Sequence, residues 1–141
     1  MKKILIIKHG SLGDIISSTA VIKPIKDYYK ESKIIILTSN KYLELFKKSN
    51  LSNSLLEDNR KGFLNFIIII LKIISMKFDL IIDLQNSKRS LFYCLITRIF
   101  TSTKINGTHI AAHYRFRYDK TNPPHVIKGL GDQINILGIK S

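Results

Sequence analysis

Apolar residues along this chain come in two kinds of block, and the blocks alternate. Short runs rich in isoleucine, Lys2 to Lys8, Lys33 to Thr38 and Leu80 to Leu84, have the length of strands buried on both faces. Ser54 to Glu57 and Lys104 to Asn106 read as weaker strands of the same kind. Between them, apolar positions recur at helical spacing. Asp14 to Lys30 carries Ile15, Ile16, Ala20, Ile22 and Ile25, with Pro24 as an expected kink. Tyr42 to Lys48, Gly62 to Lys77, Ser87 to Phe100 and Val126 to Leu137 complete the helices, the last weakened by Gly129 and Gly131. Segment 108–124, with Pro123-Pro124, has no period and reads as a loop. Strands alternating with helices, without hairpin signals, predict βαβ units. The expected fold is a single α/β domain over residues 1–141, a Rossmann-like doubly wound parallel sheet.

The most apolar window, Phe63 to Met76, is shorter than the ~20 residues of a spanning helix and contains Lys72. A helix covering the sheet is the plainer expectation. A helix lying on a membrane surface, flanked by Arg60, Lys61 and Lys77, is the other.

Composition removes several classes. One cysteine, Cys94, excludes a disulfide framework and any zinc site built on several cysteines, and its apolar neighbours suggest an inert core thiol. His9, His109 and His113 show no metal-ligand spacing, so no metal is expected. The apolar run after Met1 is too short for a signal peptide, which leaves a cytoplasmic protein as the expectation. The net charge is +13, although 26 isoleucines against 3 alanines mark an AT-rich coding bias that inflates lysine. The surplus is uneven: residues 1–83 carry 14 basic and 8 acidic side chains, residues 84–141 carry 9 and 2. An anionic partner is expected toward the C-terminal part. Tyr114, Phe116 and Tyr118 alternate with Arg115 and Arg117, a pattern compatible with single-stranded nucleic acid, but no nucleic-acid fold signature accompanies it.

Two loops carry candidate chemistry. Lys8-His9-Gly10-Ser11-Leu12-Gly13-Asp14 joins the first strand to the first helix, where open parallel sheets bind ligands. Its glycines permit positive φ and close backbone approach, and free N–H groups at a helix start favour an anion. It is neither a P-loop, which closes on Gly-Lys-Ser/Thr, nor a three-glycine dinucleotide fingerprint. Asp14 has two roles open to it. An acid at a helix start contributes ~0.5–2 kcal/mol without chemistry; the alternative is a general base facing the cleft. The second loop, after Asp83, holds Gln85, Asn86 and Arg89, whose amides and guanidinium suit hydroxyls and anionic groups. Its plainer reading is a polar strand-to-helix turn capped by Ser87.

Taken together, Ile4 to Asp14 and Phe78 to Asn86, followed by His125 and Leu137-Gly138-Ile139, resemble the amino-terminal half of the ADP-heptose:lipopolysaccharide heptosyltransferases, glycosyltransferase family 9. The shared pattern is a strand, Ser-Leu-Gly-Asp, a helix, and later an Asp-x-Gln-Gly stretch, in which Asn86 here replaces the glycine. The resemblance implies the N-terminal domain of a GT-B fold. It implies metal-independent, inverting transfer of a heptose from ADP-heptose, a substrate and not a cofactor, to a hydroxyl of the lipopolysaccharide core. Asp14 would be the catalytic base. Lys8, Gly10, Ser11, Gly13, Gln85, Asn86, Arg89 and His125 would bind substrate, the acceptor being lipopolysaccharide core or Kdo-bearing lipid A. The nucleotide-sugar domain lies beyond Ser141 in that family, so the chain is expected to be a fragment, a truncated product or half of a split enzyme. It would need a donor domain in cis or in trans and be inactive alone. Peripheral contact with the cytoplasmic face of the inner membrane is also implied. The rival readings are a non-catalytic anion- or sugar-binding module and, below it, a basic single-stranded nucleic-acid-binding protein.

Overall fold

The computed structural model describes residues 2–59, 61–122 and 125–140. Arg60, Pro123 and Pro124, which the sequence reading placed beside the apolar helix and in the last loop, lie outside the described residues. Six strands form one sheet: β1 (Lys3–Ile7), β2 (Lys33–Thr38), β3 (Ser54–Glu57), β4 (Leu80–Asp83), β5 (Lys104–Gly107) and β6 (Tyr114–Arg115). Their order is β3-β2-β1-β4-β5-β6, and every pairing is parallel. The helices are α1 (Leu12–Tyr28), α2 (Leu43–Ser49), α3 (Gly62–Met76), α4 (Lys88–Phe100) and α5 (Val126–Asn135), with a 3₁₀ turn at Asn40–Tyr42.

Both faces of the sheet are buried, which is why its strands read as continuous apolar runs. Alternate residues serve opposite layers. Ile4 and Ile6 of β1 pack with Ile15, Ile22 and Ile25 of α1, Phe46 of α2 and Ile134 of α5. Leu5 and Ile7 pack with Ile69, Ile70 and Ile73 of α3 and Tyr93 of α4. Each fully buried side chain of this kind contributes ~1.5–3 kcal/mol of transfer free energy.

Three details depart from the sequence reading. Helix α1 starts at Leu12, two residues before the expected Asp14, so Gly13 lies inside its first turn and not in the preceding loop. The same helix, with Pro24 inside it, ends at Tyr28, two residues short of the expected Lys30. The loop after β5 contributes a sixth strand of two residues, β6, too short to show any period in sequence.

Chain order reverses between β1 and β4. From β1 the chain moves outward to β2 and β3, then returns across β1 to β4 and on to β6. The loops leaving β1 and β4 therefore diverge to opposite faces, and the crevice between them is where ligands bind in open α/β sheets.

Candidate functional site

The turn leaving β1 is held in shape by the loop leaving β4. The backbone N–H groups of His9 and Gly10 both donate to Gln85 Oε1, at 3.1 and 3.0 Å. Gly10 has φ +67°, and a Cβ there would lie 2.6 Å from the Ile15 side chain, so glycine is required on both counts. Gly13 is different: it is helical, and a Cβ would meet nothing within 4 Å. Only the first of the two glycines performs the backbone role expected of both.

Lys8, at the base of this turn, is 5% exposed, and its Nζ donates to the Leu84 carbonyl at 3.3 Å. Burial lowers its pKa, while the carboxylates of Asp14 and Asp83 pull the other way and favour the ammonium. Ser11 is the N-cap residue of α1, but its hydroxyl makes no capping bond and the residue is exposed. Asp14 follows in the first turn, half-buried, where the helix dipole favours its negative charge.

The loop leaving β4 is organised by Asp83, which is fully buried. Its Oδ1 accepts the N–H groups of Gln85 and Asn86 at 3.0 and 2.9 Å, and its Oδ2 lies 2.8 Å from His109 Nε2. Asn86 has φ +52°, a left-handed conformation that glycine adopts freely and asparagine tolerates better than most residues. That explains how asparagine replaces the glycine of the Asp-x-Gln-Gly pattern. Its amide also latches the loop: Nδ2 donates to Gln133 Oε1 at 2.9 Å, and Oδ1 accepts from Thr108 N at 2.9 Å.

Gln133, completely buried in α5, completes a network that the sequence reading missed. Its Nε2 donates to the Asp83 carbonyl and to Asn106 Oδ1, and Asn106 Nδ2 returns a bond to the Gln133 carbonyl. Each polar group thereby avoids the cost of lying buried without a partner. No local signal marks a buried amide 50 residues from its partner.

These elements surround a cleft of about 290 Å³. Lys8 and Asp14 line one side; Gln85, Asn86 and Thr108 line the floor at the strand ends; His125, Val126, Gly129 and Gln133 line the α5 side. Phe116 and Tyr118, stacked with ring centroids 6.0 Å apart, close the far wall. Arg115, the last residue of β6, donates its Nε to the Thr108 carbonyl. Of the nine candidate residues, Lys8, Asp14, Gln85, Asn86 and His125 meet at this cleft, while Gly10, Ser11, Gly13 and Arg89 do not line it.

Arg89 belongs to a second cluster under α3 and α4. Its guanidinium straddles Asp58, with Nε 3.2 Å from Oδ2 and Nη2 3.1 Å from Oδ1, and lies over the Phe66 and Tyr93 rings. His9 Nε2 reaches the same carboxylate at 2.9 Å, and the Tyr93 hydroxyl donates to it. Asp58 and Tyr93 are fully buried. Burial first, then the Asp58 hydrogen bond and charge, raise the Tyr93 pKa well above its ordinary value, with Arg89 opposing. This cluster ties the end of β3 to the glycine turn through His9, a link absent from any sequence motif.

One possible metal-ligand set arises only in the fold. Ligand atoms of Asp83, Cys94 and His109 lie within 4.8 Å of one another. Burial, then the charge of Asp83, raise the Cys94 pKa and keep it a thiol. Both Asp83 oxygens already serve the loop and His109. The donor chemistry fits a hydrogen-bonded scaffold better than a cation site.

No protein-family model matches the sequence, and no curated protein matches it. Solved structures do match. A glycosyl transferase family 9 structure from Veillonella parvula superimposes with a TM-score of 0.82 over 99% of this chain, at 17% identity. The E. coli heptosyltransferase WaaC, solved with ADP, gives 0.74 over 98% at 11% identity. The fold is that of the family 9 glycosyltransferases. The E. coli ADP-heptose lps heptosyltransferase II agrees, with a TM-score of 0.69 over 94% of the chain and 16% identity. The chain spans less than half of these glycosyltransferases, 42, 48 and 41% of their respective lengths. At such identities the likeness concerns the fold, and it covers a six-stranded domain of the GT-B type.

Proposed function

We propose that this chain is the acceptor-side domain of a heptosyltransferase-like glycosyltransferase, with Asp14 as its general base. The observation that carries the reading is the placement of Asp14 beside Lys8 in the cleft at the β1/β4 reversal, in a domain with the family 9 fold. In the reaction, the Asp14 carboxylate takes the proton of an acceptor hydroxyl. The hydroxyl oxygen attacks the anomeric carbon of ADP-heptose as the bond to the ADP phosphate breaks, and ADP leaves with the electron pair. A single displacement of this kind inverts the anomeric centre. The step as written requires no metal.

Acceptor recognition falls to the groups sharing the cleft. The Lys8 ammonium, disfavoured by burial and supported in part by Asp14 and Asp83, attracts the anionic groups of lipopolysaccharide core or Kdo-bearing lipid A. Asn86 and His125 offer polar contacts, and the Phe116–Tyr118 pair offers an apolar wall to a sugar face. Gln85 acts mainly by shaping the turn, since its Oε1 holds two backbone N–H groups. The donor pocket belongs to a second domain, supplied in cis or in trans, and the reaction takes place on the cytoplasmic side of the inner membrane.

The test is transfer from ADP-heptose to a lipopolysaccharide-core acceptor with the donor domain supplied, comparing wild type with Asp14→Asn. The base role predicts a loss of ~10²–10⁴-fold in turnover, with acceptor binding to the 141-residue chain retained by calorimetry. Unchanged turnover removes Asp14 from the chemistry and leaves an anion-binding module.

A further inference from the structure

His9 is buried, at 1% exposure, and is bound through three groups to three other parts of the chain. Its backbone N–H donates to Gln85 Oε1, in the loop leaving β4, at 3.1 Å. Its carbonyl accepts the Ser39 hydroxyl, in the turn after β2, at 3.2 Å. Its ring Nε2 lies 2.9 Å from Asp58 Oδ2, just beyond the end of β3. Asp58 is itself fixed by its backbone N–H, which donates to the Thr38 carbonyl, and by Arg89 and Tyr93. The segments leaving β1, β2, β3 and β4 therefore converge on one residue.

Stability alone does not explain this convergence. Apolar residues of similar volume often hold a core as well as buried charged groups do, because charges must first be desolvated. What a satisfied polar cluster adds is a single geometry, since its directional bonds weaken when the parts shift. The geometry fixed here is that of the turn. On the far side of the turn, Ser11 makes no side-chain capping bond, so the entry to α1 has no local tie of its own. Gly10, between them, lies so close to Ile15 that even a Cβ would come within 2.6 Å of its side chain. Ile15 follows Asp14 in the same helix and is completely buried. A displacement of His9 is thus passed through Gly10 to Ile15 and to the carboxylate beside it.

We propose that His9 is a positioning residue for Asp14: its ring, held by Asp58, sets the Gly10 turn against α1 and thereby the aim of the Asp14 carboxylate into the cleft. Neither His9 nor Asp58 lines the cleft, so the effect is exerted through the turn. That Asp14 acts as a base rests on the transferase reading; that His9 sets the turn does not.

Two measurements test it. Amide hydrogen exchange on the 141-residue chain reads the turn without any substrate. The Gly10 N–H, bonded to Gln85 Oε1, should exchange at least about tenfold faster in His9→Leu, relative to the amides of β1. His9→Gln, whose amide still offers Asp58 a donor, should restore most of that protection. In transfer assays with the donor domain supplied, His9→Leu should lower kcat by up to ~10²-fold while leaving the acceptor KM nearly unchanged. Ile73→Ala, which weakens the core away from the turn, should keep the wild-type kcat. Where His9→Leu does not fold, Ser39→Ala releases only the His9 carbonyl and should move both readouts in the same direction. Relative Gly10 protection that is unchanged in His9→Leu, or lost equally in Ile73→Ala, overturns the proposal. A wild-type kcat in His9→Leu overturns it too. If the wild type transfers nothing while the Gly10 effect is present, the transferase reading falls and His9 is left as the anchor of the turn.

Discussion

The two helical layers of this domain obey the same rule inward and opposite rules outward. Beneath each, isoleucine and leucine from alternate strand positions meet an apolar helix stripe. The layer of α1 and α5 carries charges of both signs outside and, at the carboxyl edge, a neutral amide network linking Gln133, Asn86 and Asn106. The layer of α3 and α4 covers an ionic cluster centred on Asp58 and shows water an apolar face with cations only. Packing on the sheet therefore dictates one side of each helix and leaves the other side free to carry function. In this chain the amide layer builds the cleft, and the ionic layer anchors the turn from behind through His9.

That contrast can be broken at its strongest point first. Asp58→Ala leaves His9, Arg89 and Tyr93 facing a site without its charge, and should cost ~3–5 kcal/mol in urea unfolding. Gln133→Leu, in the neutral network, should cost less, ~1–3 kcal/mol, the penalty for stranding Asn86 and the Asp83 carbonyl. Equal costs would erase the distinction between the two networks. Within α3, Ile73→Ala should cost ~2–5 kcal/mol, while Leu71→Ala should stay within ~0.5 kcal/mol. A large Leu71 effect would mean that its face is already covered in the free chain.

An alkaline effect follows from the same Asp58 cluster. Tyr93 has its pKa raised above 10.0, so its contribution is complete below pH 10 and is lost as pH rises through the folded value. Lys8 acts with the opposite sign: its pKa is lowered from 10.5, so below that pH, down to its folded value, stability rises with pH. Urea midpoints measured across this range should fall less steeply above pH 10 in Tyr93→Phe than in wild type. Parallel curves would show that the phenol is not shielded by the Asp58 cluster.

Much of the fold was legible because burial on both faces leaves a plain mark on a strand. Lys33 to Thr38 and Ser54 to Glu57 are read from composition to the residue. β6 was not, since two residues carry no period and pair only because β5 offers an open edge. The cleft was half legible. Lys8, Gln85 and Asn86 stand in loops, and Asp14 in the first helical turn, just after recognisable strands, so sequence order alone put them at one edge. Arg89 stands in the same stretch, but α4 turns its guanidinium toward Asp58 and away from the cleft.

By itself the sequence determined the alternation of strand and helix, the parallel sheet and the edge at which chemistry is possible. These follow from local hydrophobic period and from the handedness of βαβ connections, which short windows of chain already contain. Tertiary structure alone decided that Gln85 clamps the glycine turn, that Gln133 latches Asn86, and that Asp58 gathers His9, Arg89 and Tyr93. It also decided which side of α3 meets the sheet. The physical reason is common to the first three. A buried polar group must find its partner wherever the packed chain places one, and that distance through space has no counterpart along the sequence.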